Sequence, residues 1–237
     1  MTPDWLCPWG PNSTDENGGV DPSEQARRRV LRARAARSVD ETVAAYADWA
    51  ADYDRDVFDA LGFTGSDRIA DLLAGHLVDR TAPVLDLGCG TGAVGSRLSS
   101  LGFTAVDGVD ISRAMLEMAA RKAVYRGLIE ADLALPLPVA NGSYCAAVSA
   151  GTLTVGGVGP GVLAEARRVL RPGATVAWVI GSWDEFQPLL SDWEVLHLAV
   201  ESVRRDGPPE ATMFVARVGP PDPPARSAMR SDVRPES

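Results

Sequence analysis

Histidine, lysine and cysteine are scarce in this chain, and each scarcity closes off some chemistry. Only His76 and His197 occur in 237 residues. Neither falls in a motif, so both read as structural side chains rather than as a general base. Cys7, Cys89 and Cys145 are scattered. Three cannot all pair, and they do not cluster at metal-ligand spacing, so neither a disulfide framework nor a metal site is expected. A reducing cytoplasm is the simple expectation. Lys122 is the one lysine among 23 basic residues, a bias of coding composition rather than of chemistry. Positive charge is outweighed altogether: the formal net charge is −9, which disfavours a nucleic-acid partner and an anionic membrane surface. Long apolar runs are missing too. The longest are about eight residues, against the roughly 20 that a membrane span needs. The opening MTPDWLCPWGPNST has no basic start and no apolar core, unlike a signal peptide.

What remains is an ordinary globular balance, 46% hydrophobic and 23% charged, in a length suited to one domain with extensions. Residues 1–22 are rich in Pro, Gly, Asn and Asp and are expected to be mobile; 219–237, GPPDPPARSAMRSDVRPES, reads as a disordered tail. Between them, 23–80 reads as helical and 81–218 as the main domain. Residues 23–37 form a helix with many arginines and few apolar anchors, expected to be solvated. Ser38-Val-Asp-Glu41 is a capping box that starts a second helix. Another begins at Ser66 and carries Ile69, Leu72, Leu73 and Leu77 on one face.

After Pro83 the rhythm changes. Apolar strands at 83–88, 104–110, 127–131, 143–150 and 174–181 alternate with helices near 92–101, 112–123 and 160–170. This alternation predicts an α/β fold, a doubly wound, mostly parallel sheet with helices on both faces. Residues 193–203 and 210–218 flank Arg-Asp-Gly-Pro-Pro and predict a closing antiparallel hairpin, giving seven strands. A helix starting at the Ser191-Asp-Trp-Glu194 capping box is the competing reading of that segment.

The stretch VLDLGCGTGAVG at 84–95 can be parsed in two ways. From Gly90 it is G-x-G-x-x-G, a dinucleotide fingerprint; from Asp86 it is an acidic residue in a strand followed by G-x-G-x-G. The choice turns on where the strand ends. Starting the fingerprint at Gly90 leaves Gly88 inside the strand, a poor place for glycine, and buries Asp86 without purpose. A carboxylate just before the loop suits a ligand that carries a positive group, such as the amino group of a methionine moiety.

These residues, with Asp110 in GVDIS, Asp132 in EADL and the late LRPGATVAWV, resemble the class I S-adenosylmethionine-dependent methyltransferases over about residues 46–217. The resemblance implies a Rossmann-like seven-stranded sheet and S-adenosylmethionine as cofactor. It implies that Asp86 orients the methionine amino group and that Gly88, Gly90 and Gly92 let the backbone approach the ligand. Asp110 would accept from both ribose hydroxyls, Ile111 and Met115 would flank the adenine, and Asp132 would accept from the adenine amino group beside Leu133. Cys89 and Ser149 complete the candidate cofactor-binding set. Upstream, Tyr46-Ala-Asp-Trp49-Ala-Ala-Asp-Tyr53-Asp54 resembles a segment of small-molecule methyltransferases akin to the Williams–Beuren methyltransferase-like proteins. There it forms a helical lid; Tyr46, Trp49 and Tyr53 would share a helix face and close over the cofactor, or pack as plain core.

Three positions depart from that pattern. The fourth strand opens Tyr144-Cys145 where the family has Phe-Asp. The loop after it, from Thr152 to Gly159, lacks the histidines of related proteins. Only about eleven residues separate the fifth strand from Trp193, too few for a full crossover helix at about 1.5 Å per residue. That shortage predicts an uncovered sheet face near Val176, Trp178 and Ile180, and hence a homodimer using the strand-five to strand-seven edge. Methyl transfer to O or N of a small, aromatic or polyketide-like acceptor is the expected activity, with Tyr46, Trp49, Tyr53 and Trp183 forming an apolar mouth. The catalytic base is unassigned; Tyr46, Asp48, Asp52 and Tyr53 are the candidates near the mouth. The alternatives are a natural-product cyclase that binds the cofactor without methyl transfer, and a non-catalytic sensor.

Overall fold

The computed structural model describes residues 21–153, 158–159, 161–208 and 210–219. The expectations of a mobile start and a disordered tail fall on residues outside these, except that Asp21 and Pro22 open a helix and Gly219 is described; the middle of the loop after the fourth strand also lies outside. Helices α1 (Pro22–Arg34) and α2 (Val39–Trp49), a π-helical turn (Arg55–Ala60) and α3 (Gly65–His76) precede the sheet. Then come β1 (Val84–Leu87), α4 (Ala93–Ser100), β2 (Val106–Asp110), α5 (Arg113–Lys122), β3 (Gly127–Glu130), β4 (Tyr144–Leu153), α6 (Val162–Val169) and β5 (Leu170–Ile180). A four-residue α7 (Trp183–Phe186), a 3-10 turn (Gln187–Leu190), β6 (Glu194–Glu201) and β7 (Ala211–Arg217) complete the order.

The seven strands stand in the order β3-β2-β1-β4-β5-β7-β6. Pairing is parallel from β3 to β5 and antiparallel for β5–β7 and β6–β7. The closing segment is thus the hairpin, not a helix from Ser191. Both faces of the central strands are buried, which is why they read as apolar runs. Leu85, Leu87, Val109, Trp178, Ile180 and Phe214 pack on one side against Val162, Leu163, Ala166 and Val169 of α6. Val84, Val106, Val148, Val179 and Met213 pack on the other against Ile69 and Leu73 of α3 and Val94 and Leu98 of α4.

The short crossover does not leave a face bare. Phe186, Leu190 and Trp193 lie over Trp178 and Phe214, with the Trp178 and Trp193 ring centroids 5.3 Å apart. Val176, Trp178 and Ile180 are at most 1% exposed. Large aromatic side chains supply the area that a longer helix would, since each buries about 150–250 Å². The uncovered face expected at those residues is therefore overturned, and with it the reason for a homodimer there. Trp183 belongs to the same cover, 5.6 Å from the Phe214 ring, and does not line the cavity described below.

The N-terminal helix is not a solvated rod. Ala26 and Ala33 are buried, and its arginines meet aspartates of the next elements. Arg29 bridges to Asp56 at 2.6 Å and Asp52 at 2.8 Å, and Arg32 to Asp48 at 2.8 Å. In the capping box Ser38 Oγ accepts from Glu41 N at 3.2 Å, but the Glu41 carboxylate reaches one residue further back, to Arg37 N at 2.7 Å. The far end of this region is tied to the β6–β7 connection through Thr64 N donating to Val203 O, 2.7 Å.

Candidate active site

Strand β1 ends at Leu87, so the parse that begins at Asp86 fits the backbone. Gly88, Gly90 and Gly92 all have positive φ, at 71°, 52° and 90°, conformations that L side chains rarely hold. A Cβ on Gly88 would sit 2.1 Å from Thr152 Oγ1, whereas one on Gly90 would meet nothing within 4 Å. The first glycine is packed against β4; the second faces open space. Asp110, at the end of β2, holds the loop in place: its carboxylate accepts from Gly90 N at 2.9 Å and Ser112 N at 2.8 Å.

One cavity of about 510 Å³ lies above these strand ends. Its lower wall is made by Gly88, Cys89, Gly90, Asp110, Ile111, Met115, Asp132 and Leu133, and Tyr46, Trp49 and Tyr53 roof it. Tyr53 lies beyond the end of α2, so the three aromatics do not share one helix face, yet their rings cluster. Centroids are 4.7 Å apart for Trp49 and Tyr53, 6.2 Å for Tyr46 and Trp49, and 6.4 Å for Tyr46 and Tyr53. Trp49 Nε1 donates to Asp56 at 2.9 Å. Burial pushes up the carboxyl of Asp56, but hydrogen bonds from Arg29, Trp49 and Arg55 outweigh it and hold its pKa below the ordinary value.

Asp86 and Ser149 do not line the cavity. Ser149 is fully buried and its hydroxyl donates to Leu87 O at 2.8 Å, tying β4 to β1. Asp86 lies fully buried below the loop. Its Oδ2 accepts from the Tyr125 hydroxyl at 2.7 Å, while Oδ1 has no hydrogen-bond partner among the described residues. The nearby Gly95 N donates to the Tyr125 hydroxyl at 3.2 Å and also favours the ionised Asp86. Burial pushes the Asp86 pKa up to about 7, against the pull of the Tyr125 hydrogen bond and with help from the negative charge of Asp110.

The candidate bases near the mouth are engaged in ion pairs or protonated. Asp48 and Asp52 are absent from the cavity wall and are spent on ion pairs with Arg32, Arg29 and Arg55. Burial raises the pKa of Tyr46 and Tyr53, so both keep their protons. Cys89 likewise stays a thiol, its pKa raised by burial and by Asp86 and Asp110. Glu210 lines the cavity but is gripped by Arg204 through two contacts of 2.7 Å. Among the described residues no histidine lines it. The missing carboxylate of the fourth strand has no bearing on the site. Tyr144 is at the opposite, N-terminal end of β4 and donates to Asp107 Oδ2 at 2.9 Å.

Several wall residues carry no motif. Val30, Leu31, Ala33 and Arg34 of α1 line the cavity, as do Val57, Phe58, Leu61 and Phe63 from the π-helical turn onward. Asp54 accepts from the Thr91 hydroxyl in the glycine loop. Tyr125, the partner of Asp86, left as its one sequence signal a place just before β3.

A family model for a methyltransferase domain matches residues 84–173. Human Methyltransferase-like protein 27 is 34% identical over 164 residues, 68% of this chain and 65% of that protein; the match thus spans less than two thirds of that relative's length. Among solved structures, a TehB-like SAM-dependent methyltransferase from Corynebacterium glutamicum superposes with a TM-score of 0.55 at 21% identity, over 73% of this chain and 97% of that one. The [4+2]-cyclase SpnF does so with 0.53 at 19%, over 65% and 80%. By its strand order, its glycine loop and these relatives, the chain belongs to the class I S-adenosylmethionine-dependent methyltransferase family.

Proposed function

We propose that this protein binds S-adenosylmethionine against β1 and β2 and transfers its methyl group to O or N of a small, largely apolar acceptor. The observation that carries the reading is the continuity of the cavity. Its loop side presents carboxylates and bare backbone at Gly90; its other side, beyond β5 and β7, presents Val57, Phe58, Leu61, Phe63, Val179 and Val203. The residues fit the ligand. Asp86, with its orphaned Oδ1, sets a carboxylate beneath the loop and off the cavity wall, where it favours an ammonium group through charge, and Gly90 leaves room for close approach. Asp110 retains lone pairs for a vicinal diol beyond the two it gives the backbone, and Asp132, which spends Oδ1 on Ala134 N at 2.8 Å, has Oδ2 left for an adenine amino group.

A sulfonium-bound methyl is already electrophilic, so the chain's contribution is to hold an acceptor in line and exclude water. Tyr46, Trp49 and Tyr53 form the water-excluding roof. With the nearby tyrosines, thiol and carboxylates tied up as described, the acceptor must arrive ionised or need no deprotonation. That same shortage of proton acceptors supports a second reading, a cyclase that folds an apolar substrate around bound cofactor. Titration calorimetry with S-adenosylhomocysteine tests the binding half: the protein should bind it, and Asp110→Ala should lose about 1.5–3 kcal/mol, the worth of hydrogen bonds to a charged group. Mass spectrometry after incubation with aromatic and polyketide acceptors tests the reaction. A product heavier by one methylene with S-adenosylhomocysteine released supports transfer; an isomer of unchanged mass supports cyclisation. Absence of any S-adenosylhomocysteine binding sinks both.

A further inference from the structure

We propose that the apolar lobe of the cavity takes an acceptor with an oxyanion on an apolar body, and that Ser66, at the start of α3, binds the charged oxygen. The inference deepens the methyl-transfer reading and rests on it only in calling the ligand an acceptor. Among Val57, Phe58, Phe63, Val179 and Val203, the wall of that lobe carries the hydroxyl of Ser66. The residue is 7% exposed, and its side chain makes no hydrogen bond among the described residues. Closing an apolar ligand over such a hydroxyl costs free energy unless the ligand pairs with it. The lobe therefore selects for a polar atom at this one place.

The helix decides which atom that is. Helix α3 has 12 residues, and Thr64 at its N-cap makes no side-chain cap. The N–H groups of Gly65, Ser66 and Asp67 find no backbone partner among the described residues; the first turn closes with Arg68 N donating to Thr64 O at 3.1 Å. An uncapped first turn is electropositive and rich in donors, so it favours an oxygen, above all a charged one. The Ser66 hydroxyl can donate to the same atom. The turn is also fixed in place. Thr64 N donates to Val203 O at 2.7 Å, Phe63 pairs with Arg204 in an isolated bridge, and the Phe63 ring lies so near Gly65 that a Cβ there would sit 2.6 Å from its Cζ.

The charges of the wall agree with an anion. Asp110 and Asp132 lie on the cofactor side, and Glu210 is matched by Arg204. Asp67, the acidic residue of the first turn of α3, is exposed and does not line the cavity. The other charged residues of the wall are Arg27 and Arg34. An ammonium group in this lobe would thus meet no unmatched carboxylate, whereas an oxyanion meets donors.

Titration calorimetry of the full chain tests this, with 2-naphthoate and with 2-naphthylmethylamine, a cation on the same apolar body, in the presence and absence of saturating S-adenosylhomocysteine. The wild type should bind the acid, and the amine about tenfold more weakly or not at all. Ser66→Ala should lose about tenfold in affinity for the acid, the scale of one hydrogen bond to a charged group, and little for the amine. A change of packing alone would move both ligands together. Ser66→Cys, close in size and a weak donor, carries the same comparison if the alanine variant fails to fold. Failure of the wild type to bind the acid overturns the proposal, as does equal binding of acid and amine. So does a folded variant that binds the acid as the wild type does, or that loses both ligands equally. Acid binding that depends on Ser66 while S-adenosylhomocysteine does not bind would sink the methyl-transfer reading alone and leave the oxyanion site standing.

Discussion

The sheet and the helices that roof it are held by different forces. The sheet rests on two apolar clusters, one on each face, with large side chains such as Trp178, Phe214, Leu85 and Ile69 at or below 1% exposure. The roof has a small cluster, Ala33, Ala45, Trp49 and Val57, and leans on a set of ion pairs. Arg29 meets Asp52 and Asp56, Arg32 meets Asp48, and Arg55 meets Asp52 and Asp56. Apolar burial is not screened by salt; half-exposed ion pairs are. A roof of this kind opens locally at a lower free-energy cost than global unfolding. That difference suits a site whose ligand must enter and leave while the loop beneath it keeps its shape.

The hardest blow to the sheet side is Gly88→Val. The position combines φ of 71° with a Cβ that would lie 2.1 Å from Thr152 Oγ1. The left-handed backbone costs about 1–2 kcal/mol and the overlap about 1–3 more. Thermal melts should show a drop of several degrees, and S-adenosylhomocysteine binding should vanish in calorimetry. Adding Thr152→Ala should restore part of the stability; no restoration would place the damage elsewhere.

Asp56→Ala strikes the roof instead. It strips Arg29 of its buried partner and Trp49 Nε1 of its acceptor. Breaking a buried charge pair costs about 3–5 kcal/mol, less here because Arg29 is 27% exposed. Amide exchange should accelerate across residues 22–60 with β1–β5 still protected. Exchange rising everywhere would show that roof and sheet unfold as one unit and erase the comparison. The wild-type roof should also withstand mild acid. The Asp56 pKa is lowered, so its contribution is present above the ordinary carboxylate value and is lost only as pH falls through the lower folded one.

The same contrast decides what the sequence discloses. Sheet strands, the hairpin and the loop are local: apolar runs, glycine spacing and the strand end at Leu87 follow from neighbours in sequence. So do Asp110 and Asp132, which sit at strand ends. The roof depends on pairs far apart. Arg29 and Asp56 are 27 residues apart, and nothing in a run of arginines says that aspartates wait to receive them, so α1 read as solvated. Trp183 misled for a related reason. Its place after β5 suggested the mouth, but the short crossover turned it onto Phe214, a contact set by packing rather than by order. Tyr125 stayed hidden because a hydroxyl that reaches Asp86 from 39 residues away leaves no spacing pattern, only a place just before β3.

Asp86 offers a pH test confined to the sheet side. Its folded pKa is about 7, well above the ordinary carboxylate value. The native state therefore holds a proton that the unfolded chain has released, and ligand-free stability should fall as pH rises from about 4 to about 7, then level off. A ligand ammonium favours the ionised carboxylate. Affinity for S-adenosylhomocysteine should thus climb by up to about tenfold per pH unit below 7 and flatten above it. For 5′-methylthioadenosine, which lacks the amino-acid part, calorimetry should give a shallower profile, set by Asp110 at the ribose, whose pKa burial also raises. Matching slopes for both ligands would move the titrating group away from Asp86.

The smallest expected effect lies where the two regions meet. Asp54, between the α2 end and the π-helical turn, accepts from the Thr91 hydroxyl in the glycine loop and from Lys122 Nζ at 2.7 Å, at the end of α5. This is the chain's one lysine, and it fastens the roof to the floor. Lys122 and Asp54 are 27% and 40% exposed, so the pair is worth at most about 1 kcal/mol and is screened by salt. Lys122→Ala should weaken S-adenosylhomocysteine binding by no more than about fivefold, because the Thr91 contact persists. It should also flatten the decline of affinity with added salt that the wild type shows. If the variant and the wild type lose affinity in parallel as salt rises, the screened contact that governs closure is among the Arg29, Arg32 and Arg55 pairs, and Asp54 is held to the loop by Thr91 alone.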